Sequence, residues 1–206
     1  MSSVVVLISG RGSNLQALLD AGLPVSAVIS NLPGAAGLAI AAKHGVPSRV
    51  VSHKDFASRE AFDDALAKEI DRYSPRLVAL AGFMRVLTPG FVQRYRDRML
   101  NIHPSLLPAF PGLNTHQRAL AEGVKLHGCS VHFVTADLDH GPIVAQAAIP
   151  VRREDTAASL ALRVLKQEHV IYPRAVRWFL DGKLVIESGT VSVKGNDAQL
   201  VFDDSP

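Results

Sequence analysis

The sequence predicts an α/β fold: an open, mostly parallel, twisted sheet with helices on both faces and a small antiparallel C-terminal extension. Three observations predict it. Uniformly apolar, β-branched runs such as Val4-Val5-Val6-Leu7-Ile8 read as strands buried on both faces of a sheet. Stretches with apolar residues at helical spacing, such as Phe62, Leu66, Ile70 and Tyr73, alternate with those runs. The connections are only a few residues long, so right-handed crossovers would lay the helices over a parallel sheet.

Taken in order, the strand over 4–8 ends at Ser9-Gly10. Ser13 is the expected N-cap of a helix over 14–20, in which Leu15, Leu18 and Leu19 give i, i+3, i+4 spacing before Gly22 closes it. A strand over 25–30, a helix over 35–44, a strand over 47–51, a helix over 58–73 and a strand over 77–81 follow. A helix over 89–98 and a strand over 99–102 come next. Pro104, Pro108 and Pro111 then exclude regular structure until about Thr115, which marks that segment as a candidate site loop. Strands over 129–135 and 143–151 flank the turn Leu138-Asp139-His140-Gly141-Pro142 and are expected to pair antiparallel. A long helical pattern over 156–180 runs through Pro173, whose missing N–H should kink or split it. A last hairpin is expected over 183–202, with the polar stretch 193–198 as its tip.

The chain has 206 residues, 48% of them hydrophobic, enough to bury one core. The expected organisation is a single domain over 1–188 with a C-terminal tail or hairpin over 189–206. Lys and Arg number 22 against 19 Asp and Glu, and a net charge of +3 without long blocks is too weak to argue for nucleic acid. The single cysteine, Cys129, excludes an intramolecular disulfide and a Cys-rich zinc site, and it fits a reducing compartment. No apolar run approaches the roughly 18 residues that span a bilayer, and Met1-Ser2-Ser3 passes into the first strand without a basic region. A cytoplasmic protein, with neither membrane nor nucleic acid as partner, is expected.

Ser9-Gly10-Arg11-Gly12-Ser13-Asn14 lies between a buried strand and a helix start, where free N–H groups and the helix dipole favour an anion. The dinucleotide fingerprint fails, since Leu15 replaces its third glycine and Ser30-Asn31 stands where an acid would grip a ribose. No Gly-Lys-Ser/Thr follows, so the Walker pattern fails too. A monophosphate suits the loop; the plainer alternative is a tight turn that merely needs glycine.

Asn101 and His103 stand two apart at a strand end, so both side chains point to one face. An amide donor and an imidazole there can meet an oxygen that gains negative charge during acyl transfer. A carboxylate from the 138–142 turn would orient the ring and favour its cation, and Asp137 and Asp139 are equally good candidates from the bare sequence. His127, Cys129, His132 and His140 crowd one region, but strand alternation sends His132 away from His127 and Cys129 unless a bulge intervenes. No metal is expected. No Gly-x-Ser-x-Gly elbow occurs, which excludes that class of serine hydrolase.

Five motifs, Ser9 to Leu15, Ala81 to Arg85, Asn101 to Pro108, Ser130 to Val134 and Leu138 to Pro142, resemble in the same order those of the phosphoribosylglycinamide formyltransferase family, over about residues 4–187. The resemblance implies a Rossmann-like formyltransferase fold. It implies transfer of the formyl group of 10-formyltetrahydrofolate, a co-substrate, to the amine of glycinamide ribonucleotide in purine synthesis, without metal. By the same resemblance Asn101, His103 and Asp139 form the catalytic trio, and Gly12, Ser13 and Asn14 hold the substrate phosphate. Arg59, Met84, Arg85, Val86, Leu87 and Asn101, with the turn Thr135, Ala136, Asp137, Leu138 and Asp139, would contact the folate. Glu168 matches the family's substrate-binding acid, and with Gln167 it sits within or beside the apolar stripe of Leu160, Val164 and Ile171. Leu165 departs from the polar residue of some relatives, and Arg11 adds a cation between the loop glycines. The implied assembly is a monomer or homodimer. A formyltetrahydrofolate hydrolase, a formyltransferase for charged initiator tRNA and a non-catalytic phosphate sensor are the alternatives.

Overall fold

The computed structural model of the chain describes residues 3–203. The chain divides into two compact units, Met1–Asn101 and Ile102–Pro206, with the boundary inside a strand.

In the first unit, β1 (Val4–Ile8), β2 (Val25–Ser30), β3 (Ser48–Val50), β4 (Leu77–Leu80) and the start of β5 (Met99–His103) lie in the order β5-β4-β1-β2-β3, all parallel. Every residue of β1 is 0% exposed, as its unbroken apolar run requires, and each such side chain stabilises the fold by about 1.5–3 kcal/mol. From β1 the chain builds outward through β2 and β3, then returns to the other side of β1 for β4 and β5. Strand order reverses between β1 and β4. The segments that leave the C-terminal ends of these two strands are Ser9 to Asn14 and Ala81 to Leu87, and open α/β sheets take ligands at such a switch point.

The helices of this unit are α1 (Ser13–Asp20), α2 (Gly37–Lys43), α3 (Arg59–Asp71) and α4 (Pro89–Arg94), with a short 3-10 helix at His53–Asp55. Ser58 caps α3 by accepting the Ala61 N–H, and Thr88 caps α4, with Pro89 at its first position. Two expectations are corrected here. The N-cap of α1 is Gly12, in the left-handed region at φ 80°, and Ser13 is already helical. α4 stops at Arg94, short of the expected 98, because Asp97 at φ 58° turns the chain into β5.

In the second unit β6 (Leu126–Phe133) pairs antiparallel with β7 (Ile143–Pro150), and β10 (Leu200–Phe202) pairs parallel on the other edge of β7. α6 (Ala157–Leu180) packs on β6 and β7 and buries Leu160, Val164, Ile171, Val176 and Trp178. Thr156 and Ser159 close a capping box at its start. Of the kink or split expected at Pro173, the split does not occur: α6 is one helix through it, and the buried apolar face around the ring offsets the one ladder bond it removes.

A helix absent from the sequence reading, α5 (Thr115–Ala121), follows the proline-rich loop. The C-terminal hairpin joins β8 (Leu184–Glu187) to β9 (Thr190–Val193) through Ser188-Gly189, both at positive φ, so its tip is there and not at 193–198. The 194–199 stretch instead carries the chain to the edge of β7. No helix among the described residues is long and apolar enough to cross a membrane.

Candidate active site

In the first unit, the anion-site loop is shaped by close backbone approach. A Cβ at Gly12 would lie 2.6 Å from the Gly37 Cα, and the Gly37 N–H donates to the Gly10 carbonyl at 3.0 Å. Glycine at 12 is thus demanded twice, by φ and by space. The loop presents the start of α1, with Asn14 buried and Ser13 half-buried beside the first-turn N–H groups.

The second segment of this unit runs from β4 to α4. Met84 and Val86 are 64% and 53% exposed, whereas Leu87 is buried. Arg85 is half-buried, and its Nε is enclosed without a hydrogen-bond partner. Arg59 is exposed in the first turn of α3.

Asn101 and His103 both belong to β5, Asn101 half-buried and His103 5% exposed. In the second unit His103 Nδ1 lies 3.3 Å from Asp139 Oδ2, and His103 Nε2 lies 3.0 Å from the Phe110 carbonyl oxygen. Both ring nitrogens therefore face oxygen acceptors. Asp139 Oδ2 also accepts the Gly112 N–H at 2.8 Å. Asp137 is exposed, so it is Asp139 that stands beside the ring.

The turn that places Asp139 is tightly built. Asp139 has φ 51°, and a Cβ on Gly141 would lie 1.7 Å from the Phe133 carbonyl oxygen. Only glycine lets the turn close that near β6. Thr135 Oγ1 donates to the Asp137 carbonyl, and Ala136, Asp137 and Leu138 are exposed.

Of the four residues weighed as metal ligands, His132, His127 and Cys129 have separate neighbours, and His140 is exposed. The irregularity in β6 falls between Val131 and His132, and His132 Nε2 is 3.8 Å from Asp139 Oδ1 while its Nδ1 donates to the Phe133 carbonyl. Burial lowers the pKa of His132. His127 is fully buried, with Nε2 3.1 Å from His116 Nδ1. Burial, with the neighbouring His116 and His103 charges, pushes His127 down to about 4. Cys129 is buried, and desolvation together with the Glu168 carboxylate pushes its thiol well up. Glu168 is 8% exposed on α6 next to Gln167, which donates to Asp203.

The sequence reading did not find the Phe110 carbonyl, the Gly112 N–H or His116. Backbone groups leave no trace in residue types, but Asn114-Thr115 ahead of His116-Gln117-Arg118-Ala119-Leu120 is a readable helix start.

The formyl transferase family matches residues 2–176 of this chain. The phosphoribosylglycinamide formyltransferase of Escherichia coli strain K12 is 49% identical over 199 residues, covering 94% of this chain and 94% of that protein. The trifunctional purine biosynthetic protein adenosine-3 of Homo sapiens is 47% identical over 199 residues, covering 94% of this chain and 19% of its own length. Among solved structures, the phosphoribosylglycinamide formyltransferase of Anaplasma phagocytophilum is similar with a TM-score of 0.93 at 44% identity, covering 98% of this chain and 99% of that one.

Proposed function

The chain belongs to the formyl transferase family, and from that premise we propose that it moves the formyl group of 10-formyltetrahydrofolate to the amine of N1-(5-phospho-D-ribosyl)glycinamide, a step of purine synthesis. The names of its full-length relatives support this substrate pair, and the observation that carries the chemistry is the His103 ring held between Asp139 and the Phe110 carbonyl.

The uncharged amine attacks the formyl carbon, and the carbonyl oxygen takes up negative charge as the new C–N bond forms. The Asn101 amide and the His103 cation donate to that oxygen, and Asp139 holds the ring and balances its charge. For Nε2 to reach the oxyanion its N–H must be shared with, or exchanged from, the Phe110 carbonyl. Collapse then breaks the bond from the formyl carbon to the folate nitrogen. The proton lost by the amine reaches that nitrogen through water ordered by Asp139, so no covalent enzyme intermediate is needed.

The remaining assignments follow the same reading. Gly12, Ser13 and Asn14 hold the phosphate, and Glu168 binds the ribonucleotide. Met84 to Leu87, Arg59 and Asn101 contact the folate, as does the turn from Thr135 to Asp139. Residues 1–188 act as the formyltransferase domain and 189–206 as a C-terminal addition. The chain works in the cytoplasm on small molecules, as a monomer or homodimer, with no metal, membrane or nucleic acid.

The test is incubation with the formyl donor in the presence and absence of glycinamide ribonucleotide. Formylated ribonucleotide and tetrahydrofolate in equal amounts are expected only when the acceptor is present. Donor loss to formate without the acceptor would make the chain a hydrolase, and binding without turnover would make it a sensor.

A further inference from the structure

The C-terminal ends of β1, β2 and β4 are joined by a buried polar chain whose side chains, Ser9 and Asn31, have no role in the assignments above. Ser9, directly after β1, is 6% exposed, and Asn31, directly after β2, is 2% exposed. The Ser9 hydroxyl donates to Asn31 Oδ1 at 2.5 Å, and Ser9 Oγ in turn accepts the Met84 N–H at 2.7 Å. The Ser9 N–H donates to the Gly82 carbonyl at 3.2 Å. On its far side Asn31 Nδ2 lies 3.1 Å from His53 Nδ1.

The chemistry of these groups fixes the direction of the chain. An amide oxygen can only accept, so the one proton of the serine hydroxyl goes to Asn31 and a lone pair is left for Met84. With Asn31 Oδ1 turned to Ser9, its NH2 group faces His53. Ser9 therefore grips the 82–84 backbone by both its own N–H and its side chain. At the other end of the segment, the Thr88 N–H is held at 2.7 Å by Asp63, a carboxylate only 3% exposed. Between these two anchors Met84 and Val86 stand open to solvent.

We propose that Ser9, aimed by Asn31, is a positioning residue for the folate-contacting segment: it sets the peptide plane at Met84 so that the 84–87 backbone is in place before the formyl donor arrives. This rests on the proposed function only for the identity of the ligand. The neighbouring anion-site loop has its own supports, the Gly37 N–H on the Gly10 carbonyl and the packing of Gly12 on Gly37, so loss of the Ser9 hydroxyl is felt at Met84 and not at the phosphate.

Ser9→Ala leaves the Met84 N–H without its acceptor. In the ligand-free protein, amide hydrogen exchange of peptides covering 83–87 is expected to quicken about tenfold or more, while peptides covering 11–16 stay unchanged. In the transfer assay the KM for 10-formyltetrahydrofolate is expected to rise about fivefold or more, with the KM for glycinamide ribonucleotide within about twofold of the wild type. Ser9→Thr, which keeps a hydroxyl, restores both. If Ser9→Ala does not fold, Asn31→Ala serves in its place, since a freed hydroxyl no longer stays aimed at Met84.

Unchanged exchange at 83–87 overturns the proposal, as does an unchanged donor KM in an active enzyme or an equal rise in both KM values. An inactive wild-type chain would sink the proposed function instead, and the exchange measurement would then decide the role of Ser9 alone.

Discussion

One oxygen of Asp139, Oδ2, is shared between the His103 Nδ1, 3.3 Å away, and the Gly112 N–H, 2.8 Å away. The carboxylate that faces the ring also pins the proline-rich loop carrying Phe110, whose carbonyl takes the ring's other nitrogen. Asp139→Asn keeps an oxygen for Gly112 but cannot balance a cationic ring. kcat should fall about a hundredfold or more, with the KM values little changed. Steady-state kinetics beside a thermal melt would check this; a variant that loses stability while keeping kcat would limit Asp139 to holding the loop.

Asn101→Ala removes one donor from the proposed oxyanion site. The barrier should rise by about 2.7–4 kcal/mol, so turnover falls about a hundredfold or more. Near-normal kcat in this variant would remove Asn101 from the chemistry.

Gly12→Ala forces a Cβ to within 2.6 Å of the Gly37 backbone at a residue with φ 80°. The strain of the left-handed conformation alone costs of order 1–3 kcal/mol, and α1 or α2 must shift besides. A lower melting temperature and a raised KM for the ribonucleotide are expected together. An unchanged KM in a destabilised variant would mean that the loop is only a turn.

β1 and β4 were legible because a strand buried on both faces shows an unbroken apolar run, and β1 and β2 match their expected bounds. Asn101 and His103 were legible as a pair because a strand repeats every two residues. Whether Asp137 or Asp139 faced the ring was not, since the answer depends on the left-handed backbone at Asp139 and the space only Gly141 leaves. Pro173 did not reveal that α6 continues through it, because the proline's penalty is local whereas the packing of α6 is tertiary. The hairpin tip at Ser188-Gly189 carried a turn signal that the more polar 193–198 stretch obscured. In the sequence Ser9 reads as the start of the anion loop and Asn31 only as the absence of a ribose-binding acid, and only the fold shows the two meeting.

His127 is buried and neutral, with a pKa of about 4 against an ordinary value of 6.5. Its pKa is lowered on folding, so the unfolded chain binds more protons between these values and stability rises with pH. The contribution is fully present above pH 6.5 and is lost as pH falls toward 4, at most about 3 kcal/mol in all. Urea melts at pH 7 and pH 5 should show this loss, and His127→Asn should reduce the difference between them. A variant with the same pH dependence as the wild type would place the acid sensitivity elsewhere, with His116 and His132, also lowered by burial, as the next groups to replace.

The most direct measurement is kcat for formyl transfer to glycinamide ribonucleotide by His103→Asn, with both KM values taken from the same data. The expected result is a loss of at least about a thousandfold in kcat while both KM values stay within a few-fold, since the ring is assigned to the oxyanion and not to either ground state. A kcat within tenfold of the wild type would contradict the role given to His103, Asn101 and Asp139 together.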